Sequence, residues 1–351
     1  MSAGLPRGSG RGQRIVQSKK VRTIYDLAAL AGVSAGTVSR ALAGKSIVNA
    51  DTAERIRSLA REHDFHPSAT ARNLRTKRSG AIGVVIPLGH DRAQHISDPF
   101  FMMMIGCLAD ALTERGYDLV LSRVIPSRAD WLDRIIEADR FDGLIVIGQS
   151  DQSATLDLVA QHYRPMVVWG GFSQGQIHCS VGTDNFLGGH LAASFLMSRG
   201  CRRIGFFGNP QAIEIRQRLE GARAAIAASP DPVALIETPT HLASELSASE
   251  IAGFLDSTDE MPDGIFAASD MVALAAIQVL TSRGVAVPEQ VKVLGYDDLP
   301  VAQGSIPPLT TIRQDIASGA LQLVDCLLKR IAGKATGSII LTPELILRGS
   351  A

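Results

Sequence analysis

Aromatic residues are scarce in this chain, 5% of 351, and cysteine is scarcer, with four. Cys107, Cys179, Cys201 and Cys326 are widely scattered and form no CxxC pair, which excludes a disulfide-stapled secreted fold and leaves structural thiols. The eight histidines form no metal-ligand spacing and read as solvated or capping residues, so no metal and no cofactor is expected. P-loop, G-x-S-x-G and HExxH motifs are also missing; "GSGRG" at 8–12 lies in a polar tail, not between a strand and a helix. The chain therefore reads as a binding protein and not as an enzyme. No apolar run reaches the roughly 18 residues that suggest a membrane span. The first residues, "MSAGLPRGSGRGQRIVQSKK", are basic without the apolar core of a signal peptide, so a cytoplasmic protein with no membrane partner is expected.

Net charge is absent too, but only in sum. Of 35 Lys+Arg and 35 Asp+Glu, residues 1–80 hold 15 and 5, which leaves 20 and 30 for residues 81–351. A front module of +10 joined to a body of −10 points to a polyanion partner for the front alone. With 46% hydrophobic residues the rest is globular, and its length suits two or three domains.

Residues 1–20, rich in Gly, Arg and Ser, read as a flexible basic tail. A first helix is expected after Thr23, where "TIYDLAALAG" has Asp three positions on, a variant of the capping box. Ile24, Leu27, Ala28 and Ala31 follow at helical spacing, and Gly32 supplies the stop. Ser34 caps the next segment, "AGTVSRALAG". A third helix is expected from Asn49, with Ala53, Ile56 and Leu59 or Ala60 on one face. Two short helices joined by a Gly-containing turn, then a third, make a helix-turn-helix. In the second, Val38, Ala41 and Leu42 pack inward, while Ala35, Gly36, Thr37, Ser39 and Arg40 form a slim outer face. A helix meant for the major groove needs such a face: bulk would hold it off, Thr and Ser bond phosphates or bases, and Arg grips a guanine edge. Downstream, "HPSATARNLRTKRSG" (66–80) is short, polar and basic, and reads equally as a plain linker or as a helix that folds only on DNA.

From Val21 to about Ile86 the sequence resembles the LacI/GalR family of transcription regulators. "TIYDLAALAGVSAGTVSRALAG" and "HPSATARNLRTKRSGAIGVVIP" match that family's helix-turn-helix, hinge helix and first core strand in order and spacing. The resemblance implies phosphate contacts at Thr23 and Tyr25, a cap at Ser34, base-reading positions at Ala35, Gly36 and Arg40, and backbone contacts at Thr37 and Ser39. It also implies minor-groove entry by Ala71 and Leu74, with Leu74 the intercalating wedge. Ala35 and Gly36 carry no side chain able to read bases, and Ala43 stands where Asn is common. Arg40 and DNA shape must then carry more of the specificity.

After Ala81 the period changes. "AIGVVIP", "YDLVLSRV", "DGLIVIG", "PMVVWGG", "RRIGFFGNP", "GIFAASD" and "VKVLGYDD" are apolar strands alternating with helices such as "GHLAASFLMSRG". Strands apolar throughout imply parallel sheets covered on both faces, and eight or more of them fit two lobes. Ligands then bind outside the strands' carboxyl ends, in the cleft between lobes. The polar and aromatic residues at those ends are Asp98, Phe100, Phe101, Trp169, Asp184, Asn185, Arg218, Ser269, Asp270, Asp297 and Asp298. Carboxylates that accept from vicinal hydroxyls, an Arg that donates and a Trp face suit a polyhydroxylated ring.

"DPFF", "RLEGARAAI", "FAASDMVALAA", "VLGYDD" and "PPLTTIRQD" continue the family resemblance in order, which implies a two-lobed periplasmic-binding-protein-like body. By that match Arg218 and Asp297 grip the effector, Ser269 takes a position where many members have Asn, Asp184 and Asn185 hold inter-lobe structure, and Gln314 lies near the cleft. Phe100, Phe101 and Trp169 complete the effector set. The implied organisation is a tail (1–20), helix-turn-helix (21–66), hinge and linker (67–79) and effector domain (80–351). Lobe 1 would hold about 80–181 plus 314–338, and lobe 2 about 182–313 plus 339–351. The end, "LILRGSA", carries no heptad extension, so a homodimer on a pseudo-palindromic double-stranded operator is expected. The implied function is a repressor switched by a mono- or disaccharide inducer. A purine or nucleoside corepressor is the alternative, and a transport-type sugar-binding protein a further one.

Overall fold

The computed structural model describes residues 21–44, 47–65, 78–89, 93–242, 244–258 and 260–351. The expected minor-groove residues Ala71 and Leu74 lie outside them. The chain divides into two compact units, Met1–Arg78 and Ser79–Ala351.

In the first unit, α1 (Ile24–Ala31) begins at the expected capping box. Thr23 Oγ1 accepts from the Asp26 N–H at 3.2 Å while Asp26 accepts from the Thr23 N–H at 3.0 Å. It ends at Gly32, whose φ of 63° is open to a residue without Cβ. Helix α2 (Ala35–Leu42) is capped by Ser34 and α3 (Ala50–Glu62) by Asn49. Leu27, Val38 and Ile56, each fully buried, meet at the centre among small alanines. Each such burial contributes roughly 1.5–3 kcal/mol. So few large side chains suffice because three short helices enclose little volume.

The second unit has twelve strands among the described residues: β1 (Ala81–Pro87), β2 (Asp118–Val124), β3 (Gly143–Ile147), β4 (Met166–Trp169), β5 (Ser180–Thr183), β6 (Arg203–Phe207), β7 (Ala234–Thr238), β8 (Gly264–Ala267), β9 (Lys292–Asp297), β10 (Thr310–Arg313), β11 (Ile339–Leu341) and β12 (Glu344–Ile346). Helices α4 (Pro99–Thr113), α5 (Trp131–Glu137) and α6 (Ser153–Ala160) lie among the early strands. Helices α7 (Asn185–Ser198), α8 (Ile213–Ala227), α9 (Ser244–Ser257), α10 (Asp270–Ser282), α11 (Pro300–Gly304) and α12 (Ile316–Ile331) follow.

Two six-stranded sheets result, ordered β11-β5-β4-β3-β1-β2 and β12-β10-β9-β8-β6-β7. In β1, Ile82, Val84 and Ile86 join the core under α4 and α12, and Val85 points to the opposite core with α5 and α6. Covered on both faces, the central strands β1, β3, β4, β6 and β8 are apolar along most of their length.

The edge strands and the strands β5 and β10 beside them depart from that pattern. On β2, Val120 and Leu121 are more than a third exposed, and β12 pairs antiparallel with β10. The polar strands β5 ("SVGT") and β10 ("TTIR") carry no apolar run and are placed by pairing alone. The expected lobe boundary at 338/339 also moves, because β11 pairs with β5 in the first sheet: Ile339 lies beside Val181 and Leu341 beside Thr183. The chain thus passes between lobes after β5, after β10 and after β11.

Helices α7 and α8 touch backbone to backbone. A Cβ on Gly189 would collide with the Arg218 carbonyl, and one on Gly221 with the Phe186 carbonyl. This approach sets Arg218 beside Asn185.

Candidate functional site

Helix α2 turns Val38 and Ala41 inward and leaves Gly36 and Arg40 exposed, with Ala35, Thr37 and Ser39 half-buried. A Cβ on Gly36 would sit 3.7 Å from Arg40 Nη2, so the guanidinium lies along the bare side of the helix. Tyr25 is 74% exposed, a large ring with no packing role in its own unit. Thr23 and Ser34 are already engaged. The Thr23 hydroxyl donates to Asp26 Oδ2 at 2.9 Å, and Ser34 Oγ accepts from the Thr37 N–H at 3.1 Å and lies 2.9 Å from Thr37 Oγ1. These groups serve the caps in this conformation, which leaves Tyr25, Ser39 and Arg40 as the outward donors.

In the second unit all seven expected effector residues, Phe100, Phe101, Trp169, Arg218, Ser269, Asp297 and Gln314, line one cleft between the sheets. Its empty volume is about 810 Å³, part of it open to solvent. The cleft lies outside the carboxyl ends of the strands, beside the places where strand order reverses, at β1/β3 and β6/β8.

Arg218 is buried. Its Nε donates to Asn185 Oδ1 at 2.8 Å, its Nη1 donates to the Ala268 carbonyl at 2.5 Å, and Cζ lies 3.6 Å from the centroid of the Tyr296 ring. Asn185 Nδ2 in turn donates to the Thr183 carbonyl of β5 at 3.0 Å, so this one side chain joins the first sheet to Arg218 of the second lobe and orients its guanidinium. Asp184 caps α7, accepting from the Leu187 N–H at 2.9 Å. Asp297, at the end of β9, accepts from Gln314 Nε2 at 2.6 Å. Burial pushes its carboxyl up to about 7, against the lowering pull of Arg218 and Gln314. Beside it Asp270 is pushed well above the carboxylate range by burial and then by the Asp297 charge. Ser269 caps α10 through the Val272 N–H at 3.3 Å and still lines the cleft.

The aromatic side comes from the first lobe. Phe100 and Phe101 form an edge-on pair 5.7 Å apart at the start of α4, and the Trp169 ring sits against Gly319 of α12, where a Cβ would collide with it. Donors and acceptors thus face aromatic surface across the cleft, an arrangement that fits a ring with polar edges and an apolar face.

Asp98, named among the strand-end residues, lines the cleft, caps α4 and accepts from Gln94 Nε2 at 3.1 Å. The residue reading missed Thr183 and Glu214. The Thr183 hydroxyl is buried with no protein partner. Glu214 accepts from the Gln149 N–H at 3.3 Å across the lobes, and Gln217 Nε2 reaches the Phe172 carbonyl at 2.8 Å. Glu214 carries only a local signal, its position in the first turn of the helix after β6. His178 departs from the solvated reading: it is buried, with Nδ1 2.6 Å from Asp157 and Nε2 2.8 Å from Gln149. Among the described residues no helix is long and apolar enough to cross a membrane.

A family model described as bacterial regulatory proteins, lacI family, matches residues 23–68, and one for a periplasmic binding protein-like domain matches residues 193–351. The chain is 31% identical over 343 residues to the HTH-type transcriptional repressor PurR of Haemophilus influenzae (strain PittEE), covering 93% of this chain and 98% of that one. Among solved structures it resembles a transcriptional regulator CelR–cellobiose complex, at 28% identity and TM-score 0.66 over 94% of this chain and 99% of that one. It also resembles the lac repressor dimer bound to operator and the anti-inducer ONPF, at 26% identity and TM-score 0.80 over 93% and 98%.

Proposed function

Because this chain belongs to the lacI family of bacterial regulatory proteins, we propose that it is a DNA-binding transcriptional repressor whose operator binding is switched by a sugar held between its lobes. Effector-controlled repression follows from the family. The sugar, and the residues that hold it, are our reading. The observation that carries it is the convergence of an oriented Arg218, a buried Asp297 and the Trp169, Phe100 and Phe101 faces on one cleft. Arg218 donates to ring hydroxyls, Asp297 accepts from them, and the aromatic faces cover the C–H side. Three chain crossings connect the lobes, so an effector touching both shifts the equilibrium between lobe arrangements by its difference in affinity for them.

On the DNA side Arg40 reads base edges in the major groove, with Ser39 and Tyr25 on phosphates. The segment 67–79, with Ala71 and Leu74, transmits the lobe shift. Two chains as a homodimer address a pseudo-palindromic operator, and the protein works in the cytoplasm. The same aromatic faces also suit a stacked purine or nucleoside, the second reading of the cleft.

Thermal unfolding against mono- and disaccharides, purines and nucleosides tests the reading. A compound at 100 times its Kd stabilises by about 2.7 kcal/mol. A sugar hit that disappears in Arg218→Ala and Asp297→Ala supports it. A hit confined to purines replaces induction by corepression.

A further inference from the structure

Asp297 and Asp298 are consecutive non-glycine residues in left-handed backbone, with φ of 122° and 58°. A residue with a Cβ holds such a conformation only where its surroundings over-determine it. They do so from several directions. The nearly buried Asp298 carboxylate accepts from Arg313 Nε through Oδ2 at 2.7 Å and from Arg348 Nη2 through Oδ1 at 2.5 Å. The next backbone N–H, that of Leu299, donates to Asp270 Oδ2 at 2.7 Å, and Thr311 Oγ1 donates to the other Asp270 oxygen at 2.5 Å.

The two arginines are themselves anchored. Arg313 Nη1 donates to Glu344 at 2.9 Å. Arg348 Nη1 donates to the Leu309 carbonyl at 2.9 Å, and its backbone N–H to Thr310 Oγ1 at 3.0 Å. The Ser350 hydroxyl donates to the Val293 carbonyl at 2.6 Å and accepts from the Thr310 N–H at 2.8 Å. The segment 344–351 is thus fastened to β9 and β10, and from there it grips Asp298. Side chains of neighbouring residues diverge as a result: Asp298 turns to the arginines, and Asp297 turns to Gln314 and the cleft.

We propose that Asp298, gripped by Arg313 and Arg348, is a positioning residue that aims the Asp297 carboxylate into the cleft, making the segment 344–351 part of the effector site. The role rests on the reading of Asp297 as an effector partner. A carboxylate offers one oxygen to each arginine, whereas an amide offers one acceptor in all. Asp298→Asn therefore releases one grip while keeping a residue type that tolerates left-handed backbone. Once released, the dipeptide relaxes and Asp297 leaves its buried place.

The test contains no effector, so it separates this role from the sugar reading. Asp297 faces Arg218 from α8, Asp270 from α10, Asp98 from α4, its own neighbour Tyr296, and Gln314. Buried there, it ionises at a folded-state pKa above its unfolded one, so the stability it contributes is present at low pH and lost as pH rises through about 7. Melting temperatures of the full chain and of Asp297→Asn, which cannot ionise, are compared at pH 5 and pH 8. The parent loses ground to Asp297→Asn across this range. In the Asp298→Asn background the same comparison is flat, because a relaxed Asp297 has already ionised below pH 5. Arg348→Ala is measured in parallel, which covers a failure of Asp298→Asn to fold. A pH-dependent difference that persists in both backgrounds, even with all melting temperatures lowered, reduces Asp298 to a structural ion pair and overturns the proposal. So does a flat comparison in the parent. A sugar panel that fails while the grip behaves as expected sinks only the effector reading.

Discussion

The Arg218 guanidinium lies against the Tyr296 ring, 3.6 Å from Cζ to centroid, where a strand residue of β9 meets a helix residue of α8. A buried cation so placed gains about 2 kcal/mol from the ring once both are desolvated. The ring does this and the hydroxyl does not, since Tyr296 Oη is buried without a hydrogen-bond partner. Tyr296→Phe should therefore leave effector binding intact and be neutral or stabilising by up to about 1 kcal/mol in urea unfolding. Tyr296→Leu should weaken effector binding by loosening Arg218. A Tyr296→Phe protein that binds tenfold more weakly would show that the hydroxyl matters after all.

Removing Arg218 itself strands two acceptors, Asn185 Oδ1 and the Ala268 carbonyl. Arg218→Ala should lose about 1–3 kcal/mol of stability and effector binding with it. Arg218→Lys keeps the charge but not the planar fork, and calorimetry should find it closer to Arg218→Ala than to the parent.

Effector affinity should depend on pH with a definite sign. Hydroxyls that donate to Asp297 favour its ionised form, and burial holds that carboxyl near 7. Affinity should thus rise from pH 6 to pH 8, with proton release on binding below pH 7. Titration calorimetry in buffers of different ionisation enthalpy measures the proton count; uptake in place of release would reverse the assigned donor and acceptor.

Arg40 is exposed on α2 and lies outside the buried set of that helix, Val38 and Ala41. Arg40→Ala should leave folding unchanged within about 0.5 kcal/mol and cost about 1–3 kcal/mol of operator binding. Fluorescence anisotropy over a salt series adds a second check. With +10 on residues 1–80, affinity should fall steeply with salt, and a flat response would remove the phosphate contacts from the account.

Gly189→Ala and Gly221→Ala should each push α7 from α8, costing about 1–3 kcal/mol and misplacing Arg218. Unchanged denaturation midpoints would mean that the helices can part without cost.

The helix caps of the first unit were legible because their signals are local. Thr23 with Asp26, Ser34 and Asn49 each act within three residues of themselves. The central strands β1, β3, β4, β6 and β8 were legible for a related reason: their apolar runs mark burial on both faces. Strands β5 and β10 were not, since "SVGT" and "TTIR" are strands only because neighbours pair with them. Likewise β11 joins the first sheet through Val181 and Thr183, partners more than 150 positions away in the chain.

The candidate cleft divides along the same line. Sequence alone determined which residue types stand at the strand ends, and so the seven aromatic and polar groups now found around one cavity. Only the tertiary structure decided that Asn185 serves Arg218, that Glu214 reaches Gln149 across the lobes, and that Arg348 holds Asp298. Periodicity and capping act over one or two turns and are written in neighbouring residues. The geometry of a buried carboxylate depends on side chains that the fold brings together, and their spacing along the chain carries no trace of it.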